Sequence, residues 1–159
     1  MYGQFYSRTA VHWRMIMNQI EKQVDRIIAG LKLIEELKSV RFVREYGSHN
    51  IETPVSGLLA VVSVTDTALS KSFIGGYMSS SVKGDEYTAH VEIRVYAPAT
   101  ENGNGLSEIV SELLTGLKKV DSEKLIVESN ASPIAFDPDM NAIYRVVGFD
   151  IEFCLCEEV

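Results

Sequence analysis

Cysteine is nearly absent from this chain: Cys154 and Cys156 are the only two, with a single residue between them. That is too few and too close for a disulfide framework, so the pair reads as buried or half-buried thiols of a reducing compartment. Long apolar runs are missing as well. None approaches the ~20 residues of a membrane span, and the opening Met1-Tyr2-Gly3-Gln4-Phe5-Tyr6-Ser7-Arg8 has no continuous apolar core or small-residue cleavage site, so no leader is expected. Positive charge is in deficit, with 15 Lys and Arg against 22 Asp and Glu and a net charge of −7. Such a chain gains little counterion-release energy from phosphates and is repelled by anionic lipid, which argues against tight nucleic-acid wrapping and membrane binding. Internal repeats and low-complexity tracts are absent too.

What is present suits one globular domain. The 159 residues are 46% apolar and 23% charged, and a domain of this size buries roughly 70% of its unfolded surface without staples. Residues 1–14, carrying Tyr2, Phe5, Tyr6 and Trp13, read as an N-terminal aromatic arm, with residues 15–159 as a single α+β domain. Ile20, Val24, Ile27, Leu31 and Ile34 alternate at spacings of four and three, which predicts a helix over about 18–38. Asn18 and Glu21 resemble its capping box, and Gly30 offers a site for close packing.

A strand follows over 40–46. The nearly continuous apolar run of 57–65 suits a central strand covered on both faces. Residues 66–85, rich in Ser and Gly, predict a long loop or loose hairpin. Over 86–97 the alternation is clear: Tyr87, Ala89, Val91, Ile93 and Val95 point one way, and Glu86, Thr88, His90, Glu92 and Arg94 the other. A second helix is expected over 106–120, with Glu108 near its start and Lys118 and Lys119 near its end. Strands over 123–129, 133–137 and 143–156 complete the order. In the last, Phe149, Ile151, Phe153 and Leu155 face inward while Asp150 and Glu152 face outward. The expected fold is α+β: a mainly antiparallel sheet of long hairpins with two helices packed on one face.

Candidate chemistry is thin. Gly103-Asn104-Gly105 lies between a strand and a helix, but a dinucleotide fingerprint needs glycine where Glu108 stands, and no Walker lysine follows. Asp137-Pro138-Asp139-Met140-Asn141 begins like a calcium loop, yet Ala142 and Gly148 stand where glycine and the bidentate glutamate belong, so a turn is the better account. Two cysteines lack the further ligands zinc requires, and His12, His49 and His90 sit on separate elements. Arg41-Phe42-Val43-Arg44-Glu45-Tyr46 mixes basic and aromatic residues as a nucleic-acid platform does, but alternation on a strand explains it better. Neither enzyme activity nor a metal or cofactor is expected. His90, Glu92 and Arg94 share one strand face, and Asp150 and Glu152 another. If those strands pair, they form a charged patch suited to a subunit interface or channel lining.

The stretch His90-Val91-Glu92-Ile93-Arg94-Val95-Tyr96-Ala97-Pro98, its Gly-containing turn and the helix from Leu106 to Leu117 resemble the tail terminator (tail completion) proteins of tailed phages and phage-like particles. Glu128-Ser129-Asn130-Ala131-Ser132-Pro133-Ile134-Ala135-Phe136-Asp137, followed by the strand from Tyr144 to Phe153, fits the same layout, so the resemblance covers roughly 18–156. It implies a structural subunit without catalytic residues. That subunit forms a ring, typically of six, which caps the tail tube, stops its growth and presents a surface to the head connector or collar. Double-stranded DNA at most passes through its lumen. It also implies a location in the host cytoplasm during assembly and in the particle's tail afterwards. The aromatic arm is not part of that pattern. Rival expectations are a head–tail joining or neck protein of similar build and a small-ligand-binding regulatory module of ferredoxin-like type. The interface residues expected are Phe73, Ile74, Tyr77 and Met78 of the 66–85 segment, the charged His90, Glu92, Arg94, Asp150 and Glu152, and Tyr2, Phe5, Tyr6 and Trp13 of the arm.

Overall fold

The structure, a computed structural model, describes residues 6–45 and 51–158, with side chains over 19–45 and 51–156. Helix α1 (Tyr6–Lys32) leads through a short 3-10 turn (Glu35–Leu37) to β1 (Arg41–Arg44) and β2 (Leu59–Lys71). A second 3-10 turn (Ile74–Gly76), β3 (Tyr77–Ser79) and β4 (Val82–Pro98) follow, then helix α2 (Leu106–Val120) and strands β5 (Ile126–Ala131), β6 (Ala135–Asp137) and β7 (Ala142–Glu158). The described strands form one sheet in the order β1-β2-β4-β7-β5, with β3 added to β4 and β6 to β7. All pairings are antiparallel except β1 with β2. This is the expected α+β architecture.

The two 17-residue strands β4 and β7 form its spine, paired without interruption from Val82 opposite Glu158 to Pro98 opposite Ala142. Unbroken register turns the sequence alternation into two faces. On one face Ala89, Val91, Ile93, Val95, Val147, Phe149 and Ile151 are fully or almost fully buried, together with Ala60 and Val62 of β2. Both helices cover this face: α1 contributes Ile20, Val24, Ile27, Ile28 and Leu31, and α2 contributes Leu106, Ile109, Val110, Leu113 and Leu117 to one continuous core. Each such side chain is worth about 1.5–3 kcal/mol on full burial, so helix–sheet packing dominates the fold.

Several boundaries differ from the sequence reading, and four of the differences matter for the fold. Helix α1 starts at Tyr6 rather than near Asn18; no Gly or Pro interrupts 6–29, and each added residue gains a helical hydrogen bond once a helix is nucleated. The backbone of Tyr6 and Trp13 therefore lies in α1, while Tyr2 and Phe5 fall outside the described residues. The helix also stops at Lys32 rather than Lys38. Leu33 and Ile34 close it with bonds to Gly30 and Leu31, and the bend carries Leu37 and Val40 into the core while leaving Leu33 in solvent. Segment 66–85 takes the hairpin form of its two expected alternatives, and β2 runs past the expected end at residue 65, staying paired with β4 as far as Lys71 opposite Glu86. Strand β5 starts at Ile126 because the Asp121 carboxylate accepts the N–H groups of Leu125 (2.8 Å) and Ile126 (3.0 Å), holding the intervening chain in a turn.

The opposite sheet face is open along most of its length, but one end carries a second small core that the sequence reading missed. Val43, Val55, Leu59, Tyr96 and Ala142 are buried there. Strand β1 thus has both central residues buried, Phe42 in the main core and Val43 in the small one. The run at Arg41–Arg44 is a two-sided strand, not an alternating one. Strand β2, second from the edge, is covered on both faces only over its first half.

The turn readings hold. Asp137 Oδ1 accepts the N–H groups of Asp139 and Met140 at 3.0 and 3.1 Å, and Asn141 takes a left-handed φ of 46° to close the β6–β7 hairpin. Gly103 and Gly105, at φ 70° and 82°, make the tight entry to α2.

Candidate interaction surface

Because β4 pairs with β7, the two expected charged strand faces merge on the open side of the sheet. His90 lies opposite Asp150, and its Nδ1 is 2.6 Å from Asp150 Oδ1. Its Nε2 is 3.7 Å from Glu92 Oε1, and Glu92 Oε2 is 3.9 Å from Arg94 Nη2. Gly148, opposite Glu92, makes room for this arrangement: a Cβ there would stand 3.1 Å from Asn130 Oδ1 and 3.3 Å from His90 Cε1. Arg94 continues the row over the ring of Tyr144 at 5.6 Å, and Tyr144 packs on Tyr96 at 5.6 Å between ring centres. Burial pushes the Tyr96 hydroxyl above its ordinary value, against the pull of Arg94. Hydrogen bonding to Tyr96 raises the Arg94 guanidinium in turn.

His90, Glu92, Arg94 and Asp150 thus form one contiguous row. Glu152 lies one pair farther along, exposed and opposite Thr88. Half-exposed ion pairs of this kind are worth about 0–1 kcal/mol.

The far end of the sheet is a hairpin tip with aromatic side chains. Ile74 stands wholly in solvent, Tyr77 is exposed and Phe73 half-buried. Each ring carries a lysine: Lys71 Nζ lies 5.0 Å from the Phe73 ring centre and Lys83 Nζ 4.6 Å from that of Tyr77. Met78 departs from the other three. It turns toward β7, with its sulfur 3.1 Å from Cys154 Sγ and 3.3 Å from Cys156 Sγ. The two cysteines are joined as a disulfide, with Cα atoms 5.7 Å apart, and are not the separate thiols expected. Two same-face neighbours on a strand come within bridging range when the strand contracts locally.

Two features escaped the sequence reading. Strand β1 pairs with only Leu59 to Val62, so the outer edge of β2 from Ser63 to Lys71 has no strand partner among the described residues. Beside it, Glu21, Asp25, Arg44, Glu45 and the edge residues 62–67 line an open cleft of about 670 Å³. Arg44 pairs there with Glu21, while its Nη1 is buried without a partner among the described residues. No sequence signal marked this edge, because the strand expected over 57–65 falls short of the 13 residues observed. At the other side, β5 ends the sheet with Val127 exposed. No described helix is long and apolar enough to cross a membrane. A scan of protein-family models finds no match to the chain, and a search of curated proteins finds no relative.

Proposed function

We propose that the protein is a ring-forming structural subunit that caps the tail tube of a phage or phage-like particle, ends its growth and offers a docking surface to the head connector or collar. The observation that carries this reading is the sheet with two unlike edges that have no strand partner among the described residues, β2 beyond Val62 on one side and β5 on the other. An exposed edge is a row of unpaired N–H and C=O groups that invites a strand from another chain. Two unlike edges on one subunit meet head to tail, and such contacts generate a ring whenever the rotation closes. The sequence resemblance of 18–156 to tail terminator proteins favours six subunits and a host-cytoplasm assembly that ends in the particle.

Further support comes from the distribution of side chains. The His90–Asp150–Glu92–Arg94 row lies on the face that the helices leave open, where a neighbour or the lumen would meet it. With a chain charge of −7, an acidic lumen lets DNA pass without adhesion. Ile74 and Tyr77 at the hairpin tip give the tube protein an apolar anchor, since aromatic residues are favoured at interface centres.

The test is a capping assay with the tail tube protein of the same particle. Added to growing tubes, the chain should shorten them and appear in negative stain as a ring at one end. Bare tubes of unchanged length refute the proposal. Binding to the head connector with no affinity for the tube would replace it with the head–tail joining role.

A further inference from the structure

The cleft beside β2 joins a bare backbone edge to two walls of unlike character. The cover that β1 gives to β2 ends where the Glu45 N–H donates to the Val62 carbonyl. Ser63 to Thr67 then run along the cleft, about 17 Å of strand, and their outer edge has no strand partner among the described residues. Register fixes what stands on each side. Val64 lies opposite Val91 and faces the helix side of the sheet, where Arg44 pairs with Glu21 of α1. Asp66 lies opposite His90 and faces the open side, while the His90 ring is turned to Asp150. Alternation along β1 puts Glu45, the residue after Arg44, on that open side too. Exposed Asp25 of α1 adds a third carboxylate to the lining. Asp25, Glu45 and Asp66 make no ion pair among the described residues.

We infer that this slot takes an amphipathic basic strand of a partner protein, with lysine or arginine toward Asp66 and Glu45 and apolar side chains toward Val64. Main-chain bonds to an exposed edge supply attachment whatever the sequence, and the alternating side chains select the partner. A strand with acidic residues at the outward positions is rejected, because like charges would face one another. The β5 strand of a second copy carries Glu128 and no basic residue, so it does not suit the slot. Ala68 to Lys71 of the same edge lie outside the cleft and stay available to the ring contact proposed above. The inference thus goes beyond the ring and does not depend on it.

The test uses the full chain with the probe peptide Lys-Val-Lys-Val-Lys-Val and, as control, Glu-Val-Glu-Val-Glu-Val. Amide exchange read by mass spectrometry should find Ser63 to Thr67 fast in the free chain and slowed about tenfold or more by the lysine peptide at saturation. Calorimetric titration should show that binding weakens as salt rises, since exposed charge pairs are screened, and that the glutamate peptide does not bind. Successive N–H groups of a strand point to opposite sides. N-methylation of either the lysines or the valines should therefore abolish binding, while methylation of the other set is tolerated. Glu45→Lys with Asp66→Lys should exchange the preference between the two peptides, a result that a damaged fold would not produce. Thermal melting checks folding, and if the pair melts lower, Glu45→Lys alone is titrated. Slow exchange of Ser63 to Thr67 before peptide is added, equal binding of both peptides, no binding of the lysine peptide, or tolerance of both methylated sets would each overturn the inference. Protection that grows with chain concentration alone marks a second copy as the occupant and overturns it as well.

Discussion

Substituting Gly30 by alanine separates helix propensity from helix packing by the sign of its effect. Gly30 lies in the last turn of α1, against Val120 at the end of α2. An added Cβ would stand 2.8 Å from Val120 Cγ1 and 3.0 Å from Val120 Cβ, where carbon atoms ordinarily rest at about 3.5–4.0 Å. Valine is stiff about χ1 and its Cβ moves only with the backbone, so the helix ends must part by about 0.5–1 Å. Overpacking of this sort costs about 1–3 kcal/mol. The gain from replacing glycine in a helix interior is at most about 1 kcal/mol and is smaller in a final turn. Gly30→Ala should therefore lose about 1 kcal/mol net, a fall in Tm of roughly 2–4 °C for a domain of this size. Circular-dichroism melts and urea titrations with an unchanged m-value would register it. In a double-mutant cycle, Val120→Ala should relieve the clash with a coupling of about 0.5–3 kcal/mol. A rise in Tm for Gly30→Ala, or no coupling to Val120, refutes the close crossing.

Three further outcomes follow from the same structure. Leu113→Ala, at a fully buried position under α2, should cost about 2–5 kcal/mol in urea titration, while Leu33→Ala, 82% exposed, should stay within about 0.5 kcal/mol. Burial raises the Tyr96 hydroxyl, so the folded state keeps that proton longer than the unfolded chain. Its effect on stability is level below about pH 10 and declines above it; against the wild type, Tyr96→Phe should melt with a shallower alkaline loss between pH 10 and 11, and parallel curves would contradict this. Ile74→Asp, at a wholly solvent-exposed tip, should leave Tm within about 2 °C by the small effect of surface substitutions yet abolish tube binding in a pull-down with purified tube protein; retained binding removes the tip from the docking surface.

The sheet spine and α2 were legible because their patterns are long and consistent. Alternation over 86–97 fixed the faces of β4, and the stripe from Leu106 to Leu117 with its terminal charges fixed α2 at the bounds observed. The charged row was legible for the same reason: His90 and Asp150 were assigned outward before their pairing was known, and antiparallel register brought them together. Other features depend on tertiary partners that a local pattern does not encode. Asn18 looked like a cap, but capping chemistry is silent when the helix continues through it. Over 66–85 the hairpin stood beside a long loop as an equal expectation because its exposed strands have little apolar content to alternate, and it is β4 that holds β2 there. Met78 was grouped with Phe73, Ile74 and Tyr77 by proximity in sequence. Only the fold across Gly84 reveals that its sulfur faces the cysteines.

The ring is the central claim, and particle mass tests it most directly. Light scattering on the purified chain, alone and mixed with tail tube protein, should yield in the mixture a cyclic assembly containing six 17.7 kDa subunits of this chain, ~106 kDa of its mass; the chain alone then runs as a monomer or as the same ring. A stable twofold dimer, present both with and without tube protein, would contradict it.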